Sequence, residues 1–146
     1  MADETVSSVQ GIGGVFLDSN DASALAHWYQ RHLGIDFTEH PEGSSFYVVF
    51  QTGDPVTGEI RNNPVFAINQ TEARLAPAPE RGLTVNLRVS DLDQILARLE
   101  TEDVVVEEER IAWEGGKHGW IRDLDGNRIE LYEELELPPE SPYRNS

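Results

Sequence analysis

The stretch GWIRDLDGNRIELYEE, residues 119–134, carries the strongest structural signal in the chain. Runs of alternating apolar and polar residues flank Asp125-Gly126-Asn127, a turn sequence typical of a β-hairpin. Successive side chains of a strand point to opposite faces, so Ile129 and Leu131 are predicted to pack inward. The opposite face of this strand then carries a charged and aromatic set: Arg128, Glu130 and Tyr132.

The residues before this hairpin predict a strand, a helix and another strand. LTVNLRV (83–89) and VVVEEER (104–110) have the β-branched composition of strands. Between them, SDLDQILARLE (90–100) repeats apolar residues at helical spacing, with Ser90 as the predicted N-cap. The second half of the chain therefore has the order strand, helix and three strands, written βαβββ.

The first half of the chain shows the same order of elements. GIGGVFLD (11–18) and PVFAINQ (64–70) are predicted strands, and two more strands flank the turn sequence at 40–43. SNDASALAHWYQRHLG (19–34) is a predicted helix that begins at a Ser19 or Asn20 cap and ends at Gly34. A polar loop is expected between the last two strands of this half.

An overlay of the two halves at an offset of 70 residues indicates an internal duplication. Asp21 falls on Asp91 and Leu25 on Ile95, so that a helix start and an apolar stripe coincide. We therefore predict an α+β fold of two βαβββ modules, each a curved, mostly antiparallel sheet with one helix, which together form a cleft. The predicted segments are a flexible N-terminus (1–10), a domain at 11–134 with module one at 11–70, a connector at 71–82 and module two at 83–134, and a polar C-terminal tail (135–146).

Composition excludes several classes of protein. The 146 residues suit one domain, and the absence of cysteine excludes disulfides and thiol chemistry. A formal net charge of −16 repels nucleic acid and anionic membranes, so neither is an expected partner. The chain shows neither a membrane-spanning run nor a signal-peptide pattern, and a cytoplasmic location is expected. The acidic, lysine-poor composition indicates either a high-salt habitat or simply a soluble surface.

The faces opposite the predicted core carry a mixed polar and aromatic set. Such a set suits either a small-molecule cleft or the solvent-facing side of two sheets, and alternation alone does not separate these. The candidate ligand-binding residues of the cleft interpretation are Phe16, Asn69, Asn86, Arg88, Trp113 and Tyr132. Trp113, Trp120 and Tyr132 can form an aromatic wall, or they can be ordinary core and loop anchors.

Glu130 and His118 are the candidate catalytic residues. A buried Glu130 can act as a base, and a histidine within reach of it can do acid–base work near neutral pH. The structural alternative for Glu130 is an ion pair with Arg88 or Arg128. For Arg88 itself, Glu130 and a ligand carboxylate are the two possible partners, and we expect Glu130. His27 and His32 are expected at the surface, because their spacing of five does not suit a shared metal.

The GIGGVFLDSND opening, the NLRVSDLDQILARLE segment and the GWIRDLDGNRIELYEE ending resemble the vicinal oxygen chelate superfamily, which includes glyoxalases, bleomycin-resistance proteins and extradiol dioxygenases. The resemblance covers roughly residues 10–134 and implies paired βαβββ modules around a shared cavity. Metal-dependent members bind a divalent ion there through four side chains, whose positions fall here on Gly14, Ala67, Thr84 and Glu130. Only Glu130 has a ligand-type side chain, so no metal and no other cofactor is expected.

The resemblance implies a small-molecule binding protein of the glyoxalase/bleomycin-resistance type, metal-independent and without a known ligand. Two enzyme functions are the alternatives: a lyase or isomerase that uses Glu130 as general base, or a metal enzyme with displaced ligands. A homodimer is expected, because exposed sheet edges need covering.

Overall fold

The computed structural model describes residues 7–144 of the chain. Most of the predicted flexible N-terminus and the last two residues of the predicted tail therefore lie outside the described residues. Within 7–144 there are two helices, ten strands and a 3-10 turn at Ala78–Glu80. Their bounds are β1 Gly14–Ser19, α1 Ala22–Leu33, β2 Thr38–Glu39, β3 Ser45–Val49, β4 Thr52–Gly53, β5 Ile60–Arg61, β6 Val65–Gln70, β7 Thr84–Arg88, α2 Leu92–Thr101, β8 Val106–Trp113, β9 Gly116–Arg122 and β10 Arg128–Glu134.

The two four-stranded sheets have the same topology. Their strand orders are β1-β6-β3-β2 and β7-β10-β9-β8, and in each sheet the first strand pairs in parallel with the last while the other pairs are antiparallel. The α+β fold of two βαβββ modules is thus confirmed. One addition was not expected: β4 and β5 form a separate two-stranded hairpin between β3 and β6.

The helices begin at the two aspartates that the overlay pairs. Asp21 accepts a hydrogen bond from the amide of Ala24, and Asp91 accepts one from the amide of Gln94. The predicted caps were wrong by one or two residues. The Ser19 hydroxyl instead donates to Asp125 Oδ2 at 2.7 Å, because this carboxylate from the other module lies beside it. Gly34 ends α1 in the left-handed conformation, as expected.

One hydrophobic core joins the modules within the chain. Side chains from both helices and both sheets form a single buried cluster that includes Leu25, Tyr29, Leu99, Ile129 and Leu131. The inward direction of Ile129 and Leu131 is thus confirmed, since both are fully buried. No helix among the described residues is long and apolar enough to cross a membrane.

Polar contacts also link the modules. His32 Nδ1 lies 2.9 Å from Glu102 Oε1, and the Arg98 guanidinium donates to the carbonyl of His32 at 2.9 Å. The expectation that His32 lies at the surface was wrong, because α1 packs this side chain against the end of α2 and only 7% of the residue is exposed. His27, by contrast, is exposed.

Candidate functional site

The face of the second sheet that points away from the helices carries the candidate site. Strand register fixes which side chains are neighbours there. Glu130 on β10 lies between Asn86 on β7 and Trp120 on β9. One step along, the next row contains Arg88, Tyr132, His118 and Ile111.

Glu130 is the centre of this face and is bonded by three side chains. Asn86 Nδ2 donates to Glu130 Oε2 at 2.8 Å, and Trp120 Nε1 donates to Oε1 at 3.1 Å. His118 Nδ1 lies 2.7 Å from Oε2, and both of these side chains are four-fifths buried. The expected Arg88–Glu130 pair was wrong, because Asn86, Trp120 and His118 occupy the carboxylate instead.

The hydrogen bonds of His118 fix its protonation state. Trp113 Nε1 lies 2.9 Å from His118 Nε2, and an indole nitrogen can only donate. Nε2 must therefore accept, which places the proton on Nδ1, where it is donated to Glu130. His118 in this geometry is a neutral imidazole with both nitrogens engaged.

Aromatic rings enclose the imidazole. Tyr132 stacks on His118 with centroids 4.9 Å apart and planes 21° apart. The Trp113 indole lies across Gly115, where a Cβ atom would come within 2.5 Å of the ring. Trp120 is buried beneath the guanidinium of Arg128, at 4.9 Å from the ring centroid. The residues of the predicted aromatic wall thus differ in exposure, since Trp120 is buried whereas 41% of Trp113 is exposed.

The arginines of this face differ in their partners. Arg128 bonds Glu107 at 2.9 Å and Glu109 at 3.3 Å, and Arg122 bonds Glu107 at 3.2 Å. The hydrogen bonds from Arg128 hold the pKa of the Glu107 carboxyl below its usual value. Arg88 is exposed and has no hydrogen bond or ion pair within residues 7–144. It is therefore a cation at the edge of the site that no acidic side chain of residues 7–144 neutralises.

The two candidates from module one lie on a different sheet. Phe16 is 59% exposed on β1, and Asn69 is half-buried on β6. In the described part of the chain, no hydrogen bond or ring contact joins either one to the group around Glu130. The structure thus brings together Asn86, Trp113, His118, Glu130 and Tyr132, and leaves Phe16, Asn69 and Arg88 without such contacts.

Strand register tests the family's four metal positions. Ala67 pairs with Phe16 on β1, and Glu130 pairs with Asn86 on β7. Phe16 and Asn86 lie 70 residues apart, at equivalent places in the first strands of the two modules. Gly14 and Thr84 begin these strands and are equivalent in the same way. Gly14 is therefore equivalent to Thr84, and Ala67 is equivalent to Glu130, in the two modules.

The side chains at these positions do not fit a divalent ion. Gly14 and Ala67 offer no donor atom, and a Cβ at Gly14 would approach the Val65 carbonyl oxygen to 2.7 Å. Glu130 already receives hydrogen bonds on both oxygens. Across residues 7–144 no cluster of three or more His, Cys, Asp or Glu side chains could hold a metal.

Three residues of the site have roles that the sequence did not predict. Trp120 donates to Glu130, Gly115 leaves the space that the Trp113 indole occupies, and Tyr143 contacts Trp113. Trp120 could have been found, because a hairpin centred on Asp125 places residue 120 opposite residue 130. Tyr143 could not, since no pattern indicates that the predicted tail returns to the sheet.

The chain belongs to the Glyoxalase/Bleomycin resistance protein/Dioxygenase superfamily, whose sequence profile matches residues 11–131. The resemblance stated from the sequence is thus confirmed. No curated protein sequence matches the chain.

Solved structures similar to this chain share its fold at low sequence identity. An integron cassette protein from the mobile metagenome of V. cholerae has a TM-score of 0.62 at 15% identity, covering 88% of this chain and 98% of that one. A lactoylglutathione lyase from Agrobacterium tumefaciens has a TM-score of 0.58 at 18% identity, with 87% and 96% covered. The oxidase ChaP-H2 has a TM-score of 0.59 at 17% identity, with 87% and 94% covered. These identities establish a common fold and no common activity.

Proposed function

We propose that this protein binds a small molecule without a metal or other cofactor, on the face around Glu130. The observation that carries the proposal is that protein side chains engage both oxygens of Glu130 and both nitrogens of His118. With these bonds in place, His118 has no free acceptor nitrogen with which to abstract a proton, and this favours recognition over acid–base catalysis. The natural ligand is unknown, and a cytoplasmic location and a homodimer remain predictions.

The chemistry of the face indicates a flat, anionic ligand. Trp113 offers an exposed aromatic surface, and Arg88 offers a guanidinium with no protein partner among the described residues. A guanidinium binds carboxylates and sulfonates through two parallel hydrogen bonds, and an indole face packs against a flat ring. In a chain of net charge −16, such a cation is a local attractor for an anion.

Titration with anilinonaphthalenesulfonate, an aromatic anion that fluoresces when bound, tests the proposal. We expect saturable binding that EDTA leaves unchanged and that Arg88→Ala weakens about tenfold, the usual effect of losing one charge-assisted contact. Arg74→Ala is the matched control, since Arg74 is an exposed arginine on the connector. Equal binding by the two variants, or binding that requires a metal, would contradict the proposal.

One observation favours a second candidate, a lyase or isomerase. The Glu130–His118 contact of 2.7 Å is the arrangement by which a carboxylate orients a histidine base. Because one structural neighbour is a lactoylglutathione lyase, lactoylglutathione is the first compound to test. Metal-free turnover that is lost in Glu130→Gln and His118→Asn, but not in Arg74→Ala, would favour the enzyme over the binding protein.

A further inference from the structure

Trp113 donates a hydrogen bond to Nε2 of His118, the imidazole nitrogen that does not face Glu130. The inward nitrogen, Nδ1, is held by Glu130 at 2.7 Å, and the indole N–H of Trp113 occupies Nε2 at 2.9 Å. Trp113 is nevertheless 41% exposed, whereas the His118 side chain is only 17% exposed. The indole therefore lies between the imidazole and solvent, where an incoming molecule would meet it first.

Two features hold the indole in this place. Gly115 has no side chain, and the six-membered part of the indole fills the position that a Cβ would take, at 2.5–2.8 Å. The edge of Tyr143 meets the indole at 5.4 Å between centroids and 86° between planes.

The C-terminal segment that carries Tyr143 is itself attached to the hairpin between β8 and β9. The Ser141 hydroxyl donates to Glu114 at 2.5 Å, and the amide of Leu135 donates to the carbonyl of Gly115 at 3.0 Å. Both acceptors lie in the turn that follows Trp113. The tail and the turn thus hold the indole from two sides.

We infer that Trp113 is a removable cap on His118 Nε2, latched by Tyr143, and that the ligand of this site carries a hydrogen-bond donor that replaces the indole N–H. This inference rests on the proposed function for its ligand. A neutral imidazole with the proton on Nδ1 offers one acceptor to the outside, so an N–H or O–H group fits there and a carbonyl does not. Arg88 would then bind the anionic part of the same molecule.

Modification by diethyl pyrocarbonate tests the cap without any ligand. The reagent acylates an accessible, unprotonated imidazole nitrogen, and mass spectrometry resolves the four histidines. In the unmodified protein we expect exposed His27 to react fast, and buried His32 and capped His118 to react slowly. Trp113→Phe removes the N–H but keeps a ring, and should raise the His118 rate at least about fivefold, the factor that one hydrogen bond represents.

Two further variants test what holds the cap. Gly115→Ala should displace the indole and raise the His118 rate as Trp113→Phe does, whereas Gly11→Ala, with open space at its Cβ, should change nothing. Tyr143→Ala should raise the rate about twofold, because it removes one edge contact of the indole. An unchanged His32 rate in each variant shows that the fold is intact.

A His118 that reacts as fast as His27 in the unmodified protein would overturn the inference. So would a slow His118 whose rate does not respond to Trp113→Phe, and an unresponsive Tyr143→Ala would overturn the latch. If a variant loosens the fold, hydrogen exchange of the indole N–H groups in the unmodified protein tests the cap instead. The Trp113 indole N–H must then exchange more slowly than that of Trp28, which donates no indole hydrogen bond within residues 7–144. Since none of these measurements involves a ligand, their failure leaves the ligand-binding proposal to its own test.

Discussion

The hydroxyl of Tyr29, on α1 of module one, donates a 2.6 Å hydrogen bond to Asp123 Oδ2, in the hairpin loop of module two. Asp123 also accepts bonds from Asn127 and from the amide of Asp125, so that one carboxylate shapes the loop and joins the modules. Burial raises the pKa of Asp123, and the hydrogen bonds from Tyr29 and Asn127 act against that rise.

Tyr29→Phe is expected to lower the free energy of unfolding by about 1–3 kcal/mol, because it leaves a buried carboxylate with one donor fewer. Urea denaturation measures the change. Tyr47→Phe is the matched control, since Tyr47 is half-buried and its hydroxyl has no hydrogen bond in the described part of the chain. Equal losses in the two variants would contradict a specific role for the Tyr29–Asp123 bond.

Arg88→Ala is expected to change the free energy of unfolding by less than about 0.5 kcal/mol, because the side chain is exposed and touches no acid in the described structure. The double variant with Glu130→Gln should then show additive changes. If Glu130→Gln restored stability lost in Arg88→Ala, the two groups would be paired after all, against the observed geometry.

The pH dependence of stability is expected to report the Glu107–Arg128 pair. Because the folded-state pKa of Glu107 is lowered, chiefly by the Arg128 hydrogen bonds, its stabilisation is complete above the unfolded-state pKa and is lost as pH falls through the folded-state pKa. Glu107→Gln should therefore destabilise at pH 7 by at most about 1 kcal/mol, since the pair is partly exposed. The difference from the unmodified protein should vanish in acid.

Glu108→Gln is the control for that experiment, because Glu108 is an exposed neighbour without a basic partner among residues 7–144. It reports the general effect of removing one negative charge from a chain of net charge −16. A Glu107→Gln effect that is independent of pH, or equal to that of Glu108→Gln, would argue against the pair.

Elemental analysis of the purified protein is expected to find no stoichiometric divalent metal. The physical reason is the donor set: Gly14 and Ala67 supply no ligand atom, and a single carboxylate, Glu130, is too few ligands to hold a divalent ion. About one metal ion per chain, lost on Glu130→Ala, would refute this expectation and would revive the metal-enzyme alternative.

Light scattering is expected to give the mass of a homodimer. The first strands β1 and β7 are edge strands of their sheets, and Phe16 on β1 is 59% exposed, a combination that a second copy of the chain can cover. The negative charge opposes association least at high salt. A monomeric mass at both low and high salt would exclude this assembly.

The sequence predicted the parts of the fold that depend on local pattern. The offset of 70 residues pairs Asp21 with Asp91, and both are helix caps in the structure. Local pattern does not predict which side chains of one module bond to the other module, and for that reason it predicts Ser19 as a helix cap and not as a donor to Asp125.

The site was predictable to the level of a shared face and not to the level of partners. Alternation along the strands predicts that Asn86, Arg88 and Glu130 share one face. It does not predict which side chains donate to Glu130, because that depends on distances in the folded sheet. Asn86 and Trp120 lie directly beside Glu130 in register, whereas Arg88 lies one row along, beside Tyr132. The sequence favours Arg88 over Asn86 as the partner because it shows the charge of Arg88. It does not show the register between two strands that are distant along the chain.

The parallel pairing of first and last strands has a consequence for the order of folding during synthesis. Within residues 7–144, β1 pairs with no strand except β6, some fifty residues later, and β7 depends on β10 in the same way. Neither sheet can be completed until its last strand has left the ribosome. The hydrogen bond from the Tyr29 hydroxyl forms later still, because Asp123 is synthesised after all the strands of the first sheet. A nascent chain that stalls between residues 70 and 123 therefore exposes the face of α1 that the second module covers, and this interval is when a chaperone would find most to bind.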